Sequence, residues 1–259
     1  MEMLNDNSSL DQTPSAGTRV GLLKKHIPNS ITLLNLFCGC CAVLNVFEGQ
    51  YLPAFWFFLA AITADYFDGA VARMLRVHSE LGKELDSLAD VISFGLLPGS
   101  IYYMLLVQGL TGDIHFQGLH WQATPGFLVT LFSALRLAKF NLDNRQSDYF
   151  IGLPTPSGTI FATGLMLIAY FNSFGLAPLV TAPAFLYPCI ILLSAVLLAE
   201  LPMFNLKFKH LAWGGNEIKI IFAAVAFLLL FLLREAALSL IILLYISISI
   251  IFKVLNRPV

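Results

Sequence analysis

Apolar residues in this chain run in long, nearly unbroken blocks. They show neither the strict alternation of a half-buried strand nor the single apolar stripe of a soluble helix. Eight blocks approach the roughly 20 apolar residues that a helix needs to cross a bilayer. They fall near 31–46, 53–75, 85–107, 125–141, 156–174, 182–199, 220–233 and 236–255. Pro and Gly mark most of the connections, as at Gly49 and Pro53, Pro125 and Gly126, and Pro178 and Pro183. Only Arg234 and Glu235 separate the last two blocks, which predicts a tight helical hairpin. The pattern predicts an all-α, polytopic membrane helix bundle of about eight transmembrane helices.

Composition agrees. The 259 residues are 58% hydrophobic and 12% charged, with a mean hydropathy of +0.78. A soluble domain carries about 25% charged residues, so the polar shell needed to cover a soluble core is missing. The net charge of −1 and the lack of a basic tract argue against a nucleic-acid partner. The cysteines Cys38, Cys40, Cys41 and Cys189 sit in apolar runs, where small soft side chains let membrane helices pack closely. They imply no disulfide framework.

The basic residues orient the bundle. With eight spans, all of the fifteen Lys and Arg except Arg234 fall on one side of the membrane. Lys and Arg concentrate in cytoplasmic loops, so both termini are expected in the cytoplasm, in a cell inner (cytoplasmic) membrane. Residues 1–18 read as a disordered polar tail without the basic start and apolar core of a signal peptide. Residues 19–30 read as a juxtamembrane amphipathic segment, with Leu22, Leu23 and Ile27 set among Lys24, Lys25 and His26. Pro28 and Asn29 are expected to redirect the chain there.

Acidic residues are scarce, yet Asp65, Asp68, Asp86 and Asp90 crowd two neighbouring spans. Spacings of three and four put each pair on one face of its helix. The turn between the spans is short, so all four carboxylates are expected to meet at one end of a helical hairpin. A charged group in a bilayer costs about 2.5–3.5 kcal/mol even on the mild insertion scale. Such a set persists when it faces a polar cavity and binds cations. Hard oxygen ligands of this kind suit Mg²⁺ or Mn²⁺, and two divalent ions would balance four negative charges. Small residues at Gly69, Ala72 and Gly82 leave room for a bulky ligand, and Arg73 offers a permanent cation.

The stretch Asp65-Tyr66-Phe67-Asp68-Gly69-Ala70-Val71-Ala72-Arg73, followed by Gly82, Asp86 and Asp90, resembles the signature of the CDP-alcohol phosphotransferase family at every defining position. The resemblance implies cleavage of the pyrophosphate in a CDP-linked lipid or alcohol, release of CMP and transfer of the phosphate to an acceptor hydroxyl. It implies metal binding by Asp65, Asp68, Asp86 and Asp90, with Asp90 also the general base. It implies a CDP-lipid pocket formed by Asp65, Asp68, Gly69, Ala72, Arg73 and Gly82. It also suggests a homodimer and makes 31–175 the catalytic core, with 176–259 as C-terminal transmembrane helices.

Further segments, from Pro28-Asn29 through Thr32 and Asn35, Ser87, Phe94-Gly95 and Arg136 to Pro154-Thr155-Pro156, are similar to the bacterial phosphatidylserine synthase branch of that family. This resemblance implies CDP-diacylglycerol and L-serine as substrates. A serine carboxylate is a partner for Arg136, and Lys139, Asn141 and Arg145 are further candidate acceptor contacts. Glycerol 3-phosphate, inositol phosphate and choline remain alternative acceptors. A cation-coupled transporter is a reading of another class, but it expects charges near the midplane of two related halves. Here the charges cluster at one end and no repeat is present. Asn35 is expected to make a helix–helix hydrogen bond. His78 reads as a solvated loop residue, and His115, His120 and Trp121 as an interfacial loop on the opposite side. Tyr66 and Phe67 are expected to face away from the acidic residues.

Overall fold

A computed structural model describes residues 16–77, 79–142, 150–203 and 216–255. The described chain is all-α apart from one two-residue ladder. Helix α1 (Ala16–Phe47) turns at Gly49 into α2 (Tyr51–Leu75), which packs antiparallel along it. Helix α3 (Glu80–Asp90), a π-helical stretch at Val91–Leu96 and α4 (Leu97–Thr111) form one continuous rod. A 3-10 turn at Trp121–Phe127 leads into α5 (Leu128–Leu142). Strand β1 (Phe150–Ile151) precedes α6 (Thr155–Phe171), α7 (Ala177–Thr181) and α8 (Pro183–Leu198). Strand β2 (Pro202–Met203), α9 (Glu217–Leu233) and α10 (Ala236–Val254) follow.

The rod Glu80–Thr111 is the centre of the bundle. Its apolar window is 78% buried, against 28% for those of α2 and α10, so the latter two lie at the periphery. Tyr102, Tyr103, Phe94, Leu97 and Met104 are fully enclosed on it. The outward faces carry Phe37, Trp56, Phe227 and Phe231, all exposed. Large aromatic groups facing outward over so much of a surface fit lipid as the solvent. Four helical segments are long and apolar enough to cross a membrane, namely His26–Phe47, Tyr51–Leu75, Glu80–Thr111 and Ala236–Val254, and Thr155–Phe171 and Pro183–Leu198 are shorter apolar helices.

One expectation changes at the start. Helix α1 runs through Pro28 without a break, where a redirection of the chain was expected. Pro28 is buried, and packing of its ring offsets the backbone bond it cannot make.

The π stretch begins immediately after Asp90. Widening a helix by one residue upsets the regular carbonyl pairing, and such turns gather at functional sites. Neighbouring hydroxyls take up the slack. Thr130 Oγ1 on α5 donates to the Gly95 carbonyl at 2.9 Å. Thr159 Oγ1 on α6 lies 3.2 Å from the Phe94 carbonyl and 3.0 Å from that of Thr155. Ser93 Oγ donates to the Asn35 carbonyl on α1 at 3.2 Å. Three helices are thereby fastened to the turn that follows Asp90. At the same end, β1 pairs antiparallel with β2, Phe150 opposite Met203, and Lys253 Nζ donates to the Glu200 carbonyl at 2.8 Å. The first contact ties the segment before α6 to the segment after α8, and the second ties the end of α10 to that same segment.

Candidate active site at the acidic end of the bundle

Helix α2 ends in a left-handed cap at Arg76, whose N–H reaches the carbonyls of Ala72 and Arg73. Ser79 caps α3 by accepting from the Gly82 N–H at 3.3 Å. This reversal brings α3 back toward the acidic end of α2, where it packs on α1. One carboxylate oxygen each from Asp65, Asp68 and Asp86 lies within 4.8 Å of the others. Asp90, one turn beyond Asp86, interacts electrostatically with Asp65, Asp86 and Asp68. All four expected aspartates therefore meet at one place.

Thr32 of α1 supports the cluster. Its hydroxyl lies 2.7 Å from Asp68 Oδ2 and 3.1 Å from the Pro28 carbonyl. Its one proton belongs on the shorter, charge-assisted bond. Asp68 is buried, and one of the two oxygens of Asp90 is buried without a partner. Carboxylates packed this closely repel one another, and burial deprives them of water. The donor set consists of oxygen alone, converges from two helices and leaves an acceptor open, so it fits a hard divalent cation.

A cavity of about 240 Å³ opens beside the cluster. Pro28, Asn29 and Thr32 of α1 form one wall, Asp68, Gly69 and Ala72 of α2 another, and Gly82, Lys83 and Asp86 of α3 a third. Val77 and Ser79 complete it. A side chain at position 82 would meet Asn29 Oδ1 at 2.9 Å, so glycine there sets how closely α3 approaches α1. The guanidinium of Arg73 folds back over Gly69, where Nη1 would lie 3.3 Å from an added Cβ. Arg73 is itself exposed and sits at the rim.

Arg136 of α5 is a further charged group at this end of the bundle. It is buried, interacts electrostatically with Asp90 and with Tyr245 of α10, and stacks 5.9 Å above the Phe140 ring. Its Nε has no hydrogen-bond partner. The other acceptor candidates are dispersed. Lys139 is exposed. Asn141 donates to Ser87 Oγ at 2.7 Å and accepts from Lys83 Nζ at 3.4 Å, which fastens the end of α5 to α3. Arg145 and His78 lie outside the described residues. Asn35 differs from expectation: its helix–helix bond runs through its backbone carbonyl, and its fully buried amide has no partner. Tyr66 and Phe67 point outward, as their spacing required.

Sequence reasoning gave no role in the site to Thr32, Asn29, Ser79 or Tyr245. Thr32 and Asn29 follow Pro28 on α1 at helical spacing, a usable signal once that segment is known to be helical. Tyr245 carries no such signal.

A sequence profile of the CDP-alcohol phosphatidyltransferase family matches residues 25–186, which include the four aspartates, the cavity and Arg136. The chain belongs to this family. As a CDP-alcohol phosphatidyltransferase it has named relatives. It is 31% identical over 209 residues to the CDP-diacylglycerol–serine O-phosphatidyltransferase of Helicobacter pylori, covering 80% of this chain and 81% of that protein. The Bacillus subtilis protein of the same name is 34% identical over 131 residues, covering 51% and 70% of the two chains. The one from Methanocaldococcus jannaschii is 34% identical over 139 residues, covering 53% and 59%. Helices α9 and α10, and with them Tyr245, lie beyond the stretch that defines this phosphatidyltransferase family.

Proposed function

We propose that this enzyme transfers the phosphatidyl group of CDP-diacylglycerol to L-serine, giving phosphatidylserine and CMP. The observation that carries the reading is the convergence of three carboxylates within 4.8 Å, two of them, Asp68 and Asp86, on the wall of the cavity. The names of the relatives support serine as the acceptor. Three loci then divide the work. The cavity between α1, α2 and α3 takes the CDP group, with Gly69, Ala72 and Gly82 clearing space and Arg73 closing the rim. Asp65, Asp68, Asp86 and Asp90 would hold Mg²⁺ or Mn²⁺. A divalent ion held there would supply positive charge to offset the pyrophosphate and the charge on departing CMP. Arg136 holds the serine carboxylate.

The reaction then balances simply. The serine hydroxyl oxygen attacks the phosphorus that bears the diacylglycerol, and its proton passes to Asp90. The bond from that phosphorus to the bridging oxygen breaks, and the electron pair leaves with CMP. Asp90 suits this step because one of its buried oxygens is free to accept. Arg136 suits the carboxylate because a planar guanidinium binds it with two parallel bonds.

The same reading places eight spans in the inner (cytoplasmic) membrane, with the acidic end and both termini in the cytoplasm, and takes the enzyme as a homodimer. The distribution of Lys and Arg supports that orientation. The test is CMP release by the purified enzyme from CDP-diacylglycerol with a panel of acceptors. L-serine is expected to drive release far above glycerol 3-phosphate, inositol phosphate and choline. Release driven equally well by another acceptor would overturn the serine assignment and leave the phosphatidyl transfer.

A further inference from the structure

The cavity between α1, α2 and α3 has a charge problem that the motif leaves open. Two of its lining residues, Asp68 and Asp86, are carboxylates, and an oxygen of Asp65 lies within 4.8 Å of theirs. A nucleoside diphosphate brings further negative charge to that wall, and like charges repel across so short a gap. The rim cation Arg73 belongs to the α2 side, where it folds over Gly69. Among the described residues that line the cavity there is one cation, Lys83, and it stands on the α3 side.

Lys83 is held at both of its ends. Its backbone lies in the first turn of α3, where its N–H donates to the Ser79 carbonyl at 3.1 Å. Its Nζ reaches across to α5 and donates to the Asn141 carbonyl at 3.4 Å. That carbonyl is in the last turn of α5, where helix carbonyls lack partners within the helix and attract cations. Asn141 is in turn held on α3. Its Nδ2 donates to Ser87 Oγ at 2.7 Å, and Ser87 Oγ donates to the Lys83 carbonyl at 3.1 Å. The three contacts close a ring between the two helices that keeps the lysine side chain beside the cavity.

An ammonium has three donors, and the bond to Asn141 takes one of them. At 3.4 Å that bond is long, and its acceptor is neutral. A phosphate oxygen is a stronger partner, because both sides of the bond are then charged. Lys83 has donors to spare for a phosphate in the cavity while one stays on the end of α5.

We infer, on the reading of this cavity as the CDP site, that Lys83 is a further binding residue of the donor site and supplies the cationic contact on the α3 wall to the phosphates of the nucleotide. It falls between Gly82 and Asp86, outside the signature positions. The same side chain joins the nucleotide pocket to the end of α5, the helix that carries Arg136.

The test measures equilibrium binding of CDP and of cytidine to the full-length enzyme in lipid nanodiscs with Mg²⁺ present. Cytidine has the base and the ribose but no phosphate, so it reports on the cavity without the proposed contact. Lys83→Met keeps an unbranched stem and removes the charge. It is expected to weaken CDP binding about tenfold and cytidine binding by less than about twofold. Lys83→Arg, which restores a cation, should bring CDP back to within about threefold of wild type. Unchanged CDP affinity in Lys83→Met would overturn the inference and leave the CDP reading intact. So would an equal loss of CDP and cytidine binding, since that marks a latch between helices and nothing more. A wild-type enzyme that binds CDP no better than cytidine would overturn the reading of the cavity itself.

Discussion

The two ends of the bundle solve the same problem in opposite ways. At the far end, where α1 turns into α2 and α4 runs into the loop at 112–120, polar groups pair with one another. The Tyr103 hydroxyl donates to the Gly118 carbonyl at 3.0 Å and accepts from the His120 N–H at 2.9 Å. The His115 ring nitrogen meets the Glu48 carbonyl at 2.9 Å, and Phe47, Tyr103 and Phe116 pack around them. At the acidic end, like charges are pressed together and both Asp90 and Arg136 keep buried atoms without partners.

Neutral groups without partners occur elsewhere too, at Tyr51, Ser100, Tyr102, Gln108, Thr163 and Ser194. A buried hydroxyl or amide costs roughly 1–3 kcal/mol, whereas a buried charge costs far more. Among the described residues, the charged groups on this roster are confined to Asp90 and Arg136. The difference between the ends is therefore one of charge. A fold can absorb an unmet hydroxyl, but a concentration of unmet charge marks a place where a ligand completes the structure.

The strongest way to break this contrast is at Asp90. Asp90→Asn is expected to lower kcat by about 10²–10⁴-fold while CDP-lipid binding stays within a few fold. CMP-release kinetics and a binding titration check it together, and an active variant would remove Asp90 as the base. Arg136→Ala comes next. Losing the charged contact should raise KM for serine by about 10–100-fold, with the CDP-diacylglycerol KM little changed. Equal rises in both would detach Arg136 from the acceptor. Thr32→Val removes the donor to buried Asp68 and should weaken Mn²⁺ binding about tenfold, read by electron paramagnetic resonance of the free ion. The far end supplies the smallest effect. Tyr103→Phe should cost about 1 kcal/mol of stability, a drop of a few degrees in Tm, with turnover unchanged within twofold. A large loss of turnover there would erase the distinction between the ends.

Much of the acidic end was legible in the sequence because charge is rare in an apolar chain. Asp65, Asp68, Asp86 and Asp90 stand out against their surroundings, and spacings of three and four fix their faces. Helix positions were legible for the same reason, although four of the described helical segments, not eight, are long and apolar enough to span a membrane. What resisted reading depends on contacts across the bundle. Thr32 bonds to a residue 36 positions away, and hydroxyls are too common in membrane helices to signal a role. The π turn after Asp90 leaves no mark in the residue pattern, because its freed carbonyls are met by Thr130 and Thr159 from other helices. Asn141 looked like an acceptor contact from its place beside Arg136 and Lys139, but one further turn of α5 carries it to Ser87. Pro28 misled because proline usually ends a soluble helix, whereas buried in a membrane bundle it need not.

The most direct trial of the account is anomalous diffraction at the manganese edge from crystals grown with Mn²⁺ and CMP. The account predicts anomalous density between the carboxylates of Asp65, Asp68 and Asp86, with Asp90 alongside and the nucleotide in the cavity next to Gly69 and Gly82. Nucleotide in that cavity with no manganese between the aspartates would contradict it.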